Sequence, residues 1–290
     1  MKRKIKVGTR DSKLAMIQTY MVIDSIKEKH PEIEIEIVAL KTTGDKILDR
    51  ALDKIGGKGL FVKELDEALI NGEVDFTVHS FKDMPMEINE ELPIVALSKR
   101  ADYRDVYILP KGEVNESAPI GSGSKRRVLQ LQELFPKKTF APIRGNVITR
   151  LEKLDRGEYS ALVLAAAGIK RLGLDARINK FFEVEEILPS ACQGIIAVQG
   201  RKGEEYDYLK EFDCAESHIV AAAERGFVKK LDGGCSAPIA AFATIEGDEV
   251  LLKGMYVNEG NGKIIKQSIK GATEKAEELG IELARRVKRC

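Results

Sequence analysis

At 290 residues, 43% hydrophobic and 32% charged, the chain is long enough for two or three domains with their own cores and has the composition of an ordinary globular protein. Its 47 basic and 46 acidic residues leave a formal net charge of +1, which excludes a global pull toward nucleic acid or an anionic membrane and makes any anion site a local one. The four cysteines, Cys192, Cys214, Cys235 and Cys290, include no closely spaced pair, so neither a zinc knuckle nor a disulfide framework is expected.

The N-terminus is basic, but its apolar run is too short for a signal-peptide core, and no segment approaches bilayer-spanning length. The expected location is the cytoplasm, with no membrane partner. Residues 5–8 read as a short apolar strand. Ser12 can cap a helix in which Leu14, Ile17, Met21, Val22 and Ile26 recur at helical spacing, and His30-Pro31 ends it. Residues 32–40 alternate acidic and apolar side chains, the pattern of a strand with one buried face. Residues 42–59 carry Gly44, Gly56, Gly57 and Gly59 among charges and are long for a connection, which predicts a mobile active-site loop. A helix over 60–71 and a strand over 74–79 complete an alternation that predicts a mainly parallel sheet covered by helices.

From about residue 100 the pattern restarts: a strand near Val106, a Gly/Ser turn at 121–124, a helix to about Phe135, a strand near Phe140, and an apolar strand over 159–165 that runs into a helix near Ala167. The remainder differs in kind. A helix over 216–231 precedes strands over 239–245, 250–257 and 264–269, with Glu246-Gly-Asp and Glu259-Gly-Asn-Gly as hairpin turns, and an amphipathic helix over 273–288 closes the chain. No tandem repeat or low-complexity tract is visible.

Arg10, Arg126, Arg127, Arg144, Arg150 and Arg171 stand at strand-to-helix turns, where a chain presents groups to a ligand. Gly121-Ser-Gly-Ser-Lys-Arg-Arg places backbone N–H groups and two guanidinium groups at a helix N-terminus, which suits an anion. A carboxylate fits better than a nucleotide: Arg126 stands where the dinucleotide fingerprint needs glycine, and Gly59 follows Lys58 where the phosphate loop needs serine or threonine. Taken singly, each arginine also reads as a solvated helix-face charge. His79-Ser-Phe-Lys-Asp-Met-Pro puts Lys82 and Asp83 at the carboxyl end of a strand, where open α/β sheets bind ligands; Asp83 can serve as a hydrogen-bond acceptor or acid–base group, or merely organise the turn before Pro85. In Leu231-Asp-Gly-Gly-Cys-Ser-Ala-Pro, the glycines can offer the Cys235 thiol to a ligand, against the alternative of an inert packed cysteine. His30, His79 and His218 form no visible triad or metal set.

Together these segments resemble the porphobilinogen deaminase family over nearly the whole chain. The resemblance is carried by Gly8-Thr-Arg-Asp-Ser-Lys-Leu-Ala, Thr43-Gly-Asp, Lys54-Ile-Gly-Gly-Lys-Gly-Leu-Phe-Val-Lys-Glu-Leu, His79-Ser-Phe-Lys-Asp-Met-Pro, Ile143-Arg-Gly-Asn-Val-Ile-Thr-Arg-Leu, Leu164-Ala-Ala-Ala-Gly-Ile-Lys-Arg-Leu-Gly, Leu188-Pro-Ser-Ala-Cys-Gln-Gly, Ala223-Glu-Arg and Leu231-Asp-Gly-Gly-Cys. It implies an α/β fold of three domains: two periplasmic-binding-protein-like (type II) lobes with a cleft between them, and a small C-terminal α/β domain with a three-stranded antiparallel sheet. The implied divisions are 1–97 with 194–212, then 98–193, then 213–290.

The resemblance further implies a dipyrromethane cofactor in thioether linkage to Cys235. Asp83, Lys82, Ser124, Arg126, Arg127, Arg144 and Gly145 would hold it. Arg10, Ser12, Arg144, Arg150, Arg171 and Gln193, with Lys54 and Lys58 of the 42–59 segment, would bind substrate, and Asp83, Lys82 and Arg10 would act in catalysis. The implied activity is that of a transferase of haem and tetrapyrrole biosynthesis, which condenses four porphobilinogen molecules head to tail on the retained primer with loss of ammonia. Hydrolysis then releases hydroxymethylbilane, which passes to uroporphyrinogen-III synthase. A monomer is implied, with no metal and no nucleic-acid partner. Two-lobed folds also serve binding proteins without catalysis, which is the alternative, although neither a signal segment nor a helix-turn-helix is found. A different cysteine-dependent transferase would need a base near Cys235 that no histidine obviously supplies.

Overall fold

The computed structural model describes residues 4–42, 62–233, 237–258 and 262–289. The first lobe begins with β1 (Lys4–Arg10), α1 (Lys13–Lys29), β2 (Glu34–Leu40), α2 (Lys63–Ile70), β3 (Phe76–Ser80) and β4 (Ile94–Leu97). Ser12 caps α1 as expected, its Oγ accepting from the Ala15 N–H at 3.3 Å. The second lobe follows with β5 (Asp105–Ile108), β6 (Ile120–Gly121), α3 (Lys125–Leu134), β7 (Phe140–Ala141), α4 (Val147–Asp155), β8 (Ala161–Ala165), α5 (Ala166–Arg171) and β9 (Lys180–Phe181). The chain then returns to the first sheet as β10 (Ile196–Gly200), a strand buried along its whole length.

The first sheet has the order β2-β1-β3-β10-β4 and the second β7-β6-β8-β5-β9. These are one topology used twice, without a matching sequence repeat. β1 in the first sheet and β6 in the second pair in parallel with both neighbours, and the strand that has just crossed from the other lobe, β10 or β5, inserts antiparallel. The expectation of a mainly parallel sheet in the first lobe holds for β1, β2 and β3, and one antiparallel strand, the crossing one, makes each sheet mixed. The cause lies in the crossings. Asp105 at the start of β5 pairs with Ala165 at the end of β8, and Ile196 at the start of β10 pairs with Ser80 at the end of β3. Each crossing strand thus enters at the carboxyl ends of the parallel strands and runs away from them.

The third unit packs α6 (Ala215–Lys230) and α7 (Ala276–Lys288) on an antiparallel sheet of β11 (Ala240–Glu246), β12 (Glu249–Val257) and β13 (Ile264–Ala272). Gly247, at φ +63°, occupies the two-residue turn between Glu246 and Glu249, as the hairpin signal predicts. The helices touch where side chains vanish: a Cβ on Gly280 would lie 2.2 Å from the Ala223 carbonyl oxygen. The apolar cluster of this unit also takes in Phe81 and Met84, which follow β3 of the first lobe. Together these elements form two lobes, each built on a five-stranded sheet, and a small α/β domain with a three-stranded antiparallel sheet.

Candidate active site

Parallel strands end facing the gap between the lobes, and their carboxyl ends deliver the residues singled out in the sequence. On the first-lobe wall, Arg10 closes β1, Ser12 begins α1, and β3 runs into the single 3₁₀ turn Phe81–Asp83. Arg10, Ser12, Ser80 and Asp83 line a common cavity with His79 and Gln18. Gln18 and Ser80 exchange hydrogen bonds of 2.8 and 3.1 Å, which ties α1 to the end of β3. His79 is buried and bonded to Thr77 Oγ1 at 2.8 Å; burial, with the Arg10 charge, pushes its imidazole down to about 3, so it is neutral at physiological pH.

The second-lobe wall is electrostatic. Ser124 is the N-cap residue of α3 but its side chain does not bond the helix. Arg126 and Arg127, on the first turn, are 2% and 6% exposed, which rules out the solvated-surface reading for both. Between them sits Asp105, the first residue of β5 and fully buried. Its Oδ2 lies 2.8 Å from Arg126 Nη1, and its Oδ1 accepts from Arg127 Nη2 at 2.8 Å. Burial raises the Asp105 carboxyl, but the two guanidinium groups overcome it and hold it far below the ordinary carboxylate range. Gln193 locks the corner, its Nε2 donating to Asp105 Oδ1 at 2.9 Å and to the Tyr103 carbonyl at 2.7 Å.

Arg144, Gly145 and Arg150 belong to one turn. Gly145 has φ +109°, where a Cβ would also press on Thr149 at 3.0 Å, and its carbonyl accepts from Arg150 Nε at 2.8 Å. Asn146 then caps α4 through the Thr149 N–H. Burial lowers Arg150 to about 10, the neighbouring positive charges of Arg127 and Arg144 adding to the shift and Asp83 opposing it. Arg150 thus stands within electrostatic reach of both walls. Lys82 does so from the opposite side: burial pushes its ammonium down to about 8, Asp83 and Asp105 opposing and Arg127 and Arg126 adding to the shift. Arg171, at the end of α5, donates to the Gly194 carbonyl at 2.7 Å.

The donor set tests what the cleft can hold. Among the described residues, Nε and Nη2 of Arg126, Nε of Arg127 and Nε of Arg171 are buried without a hydrogen-bond partner. Buried N–H donors on permanent cations call for anionic acceptors, and planar guanidinium forks match carboxylates. Dipyrromethane and porphobilinogen carry acetate and propionate groups, so the residues present fit them. Cys235, Lys54 and Lys58 lie outside the described residues, as do positions 43–59 of the 42–59 segment. Cys235 follows α6 closely, after Gly233, where a Cβ would lie 2.5 Å from Ile239 Cδ1. Cys192 is packed in the core and Cys214 is the N-cap residue of α6; Cys290 lies outside the described residues.

Sequence reasoning missed Asp105, although an acidic residue opening an otherwise apolar strand at a crossing is a legible signal. It also gave no role to Glu224 of α6, quoted only within Ala223-Glu-Arg. This fully buried carboxylate takes Arg100 Nη1 at 2.8 Å, the Cys192 N–H at 2.6 Å and the Ala243 N–H at 2.7 Å, joining both crossings to the third unit.

Among the described residues no helix is long and apolar enough to cross a membrane, and no cluster of histidine, cysteine or carboxylate side chains is arranged to hold a metal. Residues 5–207 match the family model described as porphobilinogen deaminase, dipyromethane cofactor binding domain, and residues 219–289 match that of the porphobilinogen deaminase C-terminal domain. The chain is 61% identical over 289 residues to a porphobilinogen deaminase of Ruminiclostridium cellulolyticum, covering 99% of each chain. It is 58% identical to that of Acetivibrio thermocellus over 97% of each, and 42% identical to that of Brevibacillus brevis over 97% of this chain and 93% of the relative. With both family models matched in order and full-length relatives at this identity, the chain belongs to the porphobilinogen deaminase family.

Proposed function

We propose that the cleft condenses four porphobilinogen molecules head to tail on a dipyrromethane held by Cys235, with Asp83 as the central catalytic group. Family membership supports the transferase of tetrapyrrole biosynthesis and sets aside the binding-only alternative. When bound, the dipyrromethane supplies a nucleophilic pyrrole carbon. The protein's own part is to bind, orient and balance charge.

Arg126, Arg127 and Arg144, with Lys82, Ser124 and Gly145, hold the cofactor's acidic side chains; Arg10, Ser12, Arg150, Arg171 and Gln193 receive those of the substrate, with Lys54 and Lys58 assigned to the same task. Asp83 accepts hydrogen bonds from pyrrole N–H groups and stabilises the positive charge that develops as porphobilinogen loses ammonia, with Lys82 and Arg10 beside it. Hydrolysis releases hydroxymethylbilane. The domain division goes with this reading: 1–97 with 194–212, then 98–193, then 213–290. So do a monomeric state, a cytoplasmic location and delivery of product to uroporphyrinogen-III synthase.

The observation that carries the proposal is the buried Asp105–Arg126–Arg127 cluster, with guanidinium donors left over for carboxylates. The test is the intact mass of the purified protein beside Cys235→Ser, with a pyrrole colour reaction on both. An excess of two linked pyrrole units that vanishes in the variant is the expected result; no adduct on protein from a pyrrole-making host would overturn the assignment of Cys235.

A further inference from the structure

Asp83 protrudes from a turn that packs on the third unit as well as on its own lobe. The flanking side chains Phe81 and Met84 are 4% and 1% exposed, and both belong to the apolar cluster built on α6, together with Ala221, Phe227 and Val228. Directly beneath the turn is Arg225 of α6. Its Nη2 donates to the carbonyl of Pro85 and, at 3.0 Å, to that of Met86, and its guanidinium lies 4.6 Å from the centre of the Phe81 ring. One side chain therefore grips the catalytic turn by its ring on one side of Asp83 and by two carbonyls on the other.

The same helix leads to Cys235. From Arg225 to its last residue, Lys230, is only about 7.5 Å at the helical rise, and Cys235 follows a few residues later. We propose that Arg225 is a positioning residue that fixes the Asp83 turn against the helix leading to the cofactor cysteine, so that carboxylate and cofactor anchor keep one geometry during catalysis. The inference rests on the roles proposed above for Asp83 and Cys235. Arg225 itself touches no reacting atom; it acts through Asp83.

Placement errors of about 1 Å at a reacting centre reduce rates about a hundredfold. Arg225→Met keeps the bulk of the side chain and removes every donor; Arg225→Lys keeps the charge and one donating group. The holoenzymes are compared with Asp83→Asn and with the double variant Arg225→Met/Asp83→Asn. Intact mass reports the primer and the rate of pyrrole addition in a single turnover, and steady-state kinetics separates kcat from KM.

Arg225→Met should retain two pyrrole units and lose about ten- to a hundredfold in kcat, with KM changed less than about twofold, and Arg225→Lys should recover part of the loss. In the Asp83→Asn background the same substitution should slow pyrrole addition less than about threefold, because there is no carboxylate left to position. Wild-type kcat in Arg225→Met would overturn the proposal. So would an equal fold-loss in the Asp83→Asn background, or a loss that only tracks the fraction of folded, primer-bearing protein. Failure of the underlying reading has a different signature: Asp83→Asn alone would then turn over normally.

Discussion

Asp105→Asn keeps the size and shape of the first side chain of β5 and removes the negative charge between Arg126 and Arg127. Both guanidinium groups stay buried, at 2% and 6% exposure, so solvent cannot replace the lost charge. Breaking a buried ion pair by removing one partner costs about 3–5 kcal/mol, because it leaves an uncompensated charge behind. Asparagine still offers one carbonyl oxygen to the cluster, which places the expected loss at the lower end of that range. A bound anion changes the balance. Carboxylates docked on the unmatched donors of Arg126 and Arg127 restore negative charge, so the primer-bearing protein should lose less stability than one that cannot hold the primer.

Urea unfolding of wild type and Asp105→Asn, each with Cys235 intact and with Cys235→Ser, measures both quantities. Equal losses in the two backgrounds would refute the link between cluster and cofactor, and a loss below about 1 kcal/mol in both, the range of an exposed pair, would refute the buried ion pair itself. Because the folded carboxyl is held below its unfolded value, its contribution is present above about pH 4 and is lost only as pH falls through the depressed folded value. The difference between the proteins should therefore be constant between about pH 5 and 7, below the range in which Lys82, whose ammonium Asp105 supports, loses its proton.

Lys82 titrates in the opposite window: with its ammonium at about 8, the ligand-free cleft loses that charge as pH rises, and kcat/KM for porphobilinogen should show an alkaline limb near there. Lys82→Arg should move the limb upward, and an unchanged limb would remove Lys82 from binding; stability itself should rise over the same window, because the unfolded lysine still holds its proton. Arg126→Lys keeps charge but loses Nε and Nη2, the donors left over for a carboxylate, and should reduce turnover at least about tenfold; wild-type turnover would contradict the role given to those donors. Gly280→Ala forces a methyl group to 2.2 Å from the Ala223 carbonyl oxygen, and the separation of α6 from α7 should cost about 1–3 kcal/mol in urea unfolding, an unchanged midpoint refuting the tight crossing.

Elements with one buried face were legible. The alternation before Leu40 became β2, Ser12 became a helix cap, and Glu246-Gly-Asp became a two-residue hairpin turn. What escaped is either too short for a period or buried on both sides. β10 is buried along its whole length, Gln199 included, so its five residues show no alternation that would mark a strand. α4 is short and lies inside a segment read for its arginines, although Asn146 is an ordinary capping signal. The motif arginines stood out in the sequence as candidate anion ligands, but their depth was not legible. Two adjacent arginines opening a helix look like surface residues until the partner carboxylate is known, and Asp105 lies more than twenty positions upstream, on a strand placed beside them only by the fold.

That placement explains why the site sits where it does. A strand that crosses from one lobe must enter the other at the cleft end of the sheet, so the first residue of the crossing strand is automatically a cleft residue. Asp105 opens β5 after the outward crossing, and Gln193 lies three positions before β10 on the return. The two crossings run side by side, which is why Gln193 can reach Asp105 and the Tyr103 carbonyl together, and why Arg127 Nη2, bonded to Asp105, also approaches Gln193 Oε1 at 3.4 Å. The Arg126–Arg127 pair is therefore anchored at the ends of the segments that join the lobes. A substitution that shifts one crossing relative to the other must disturb the guanidinium pair even when it touches no residue of the cleft, and Glu224, which holds Arg100 on one crossing and Cys192 on the other, is where such a shift is restrained.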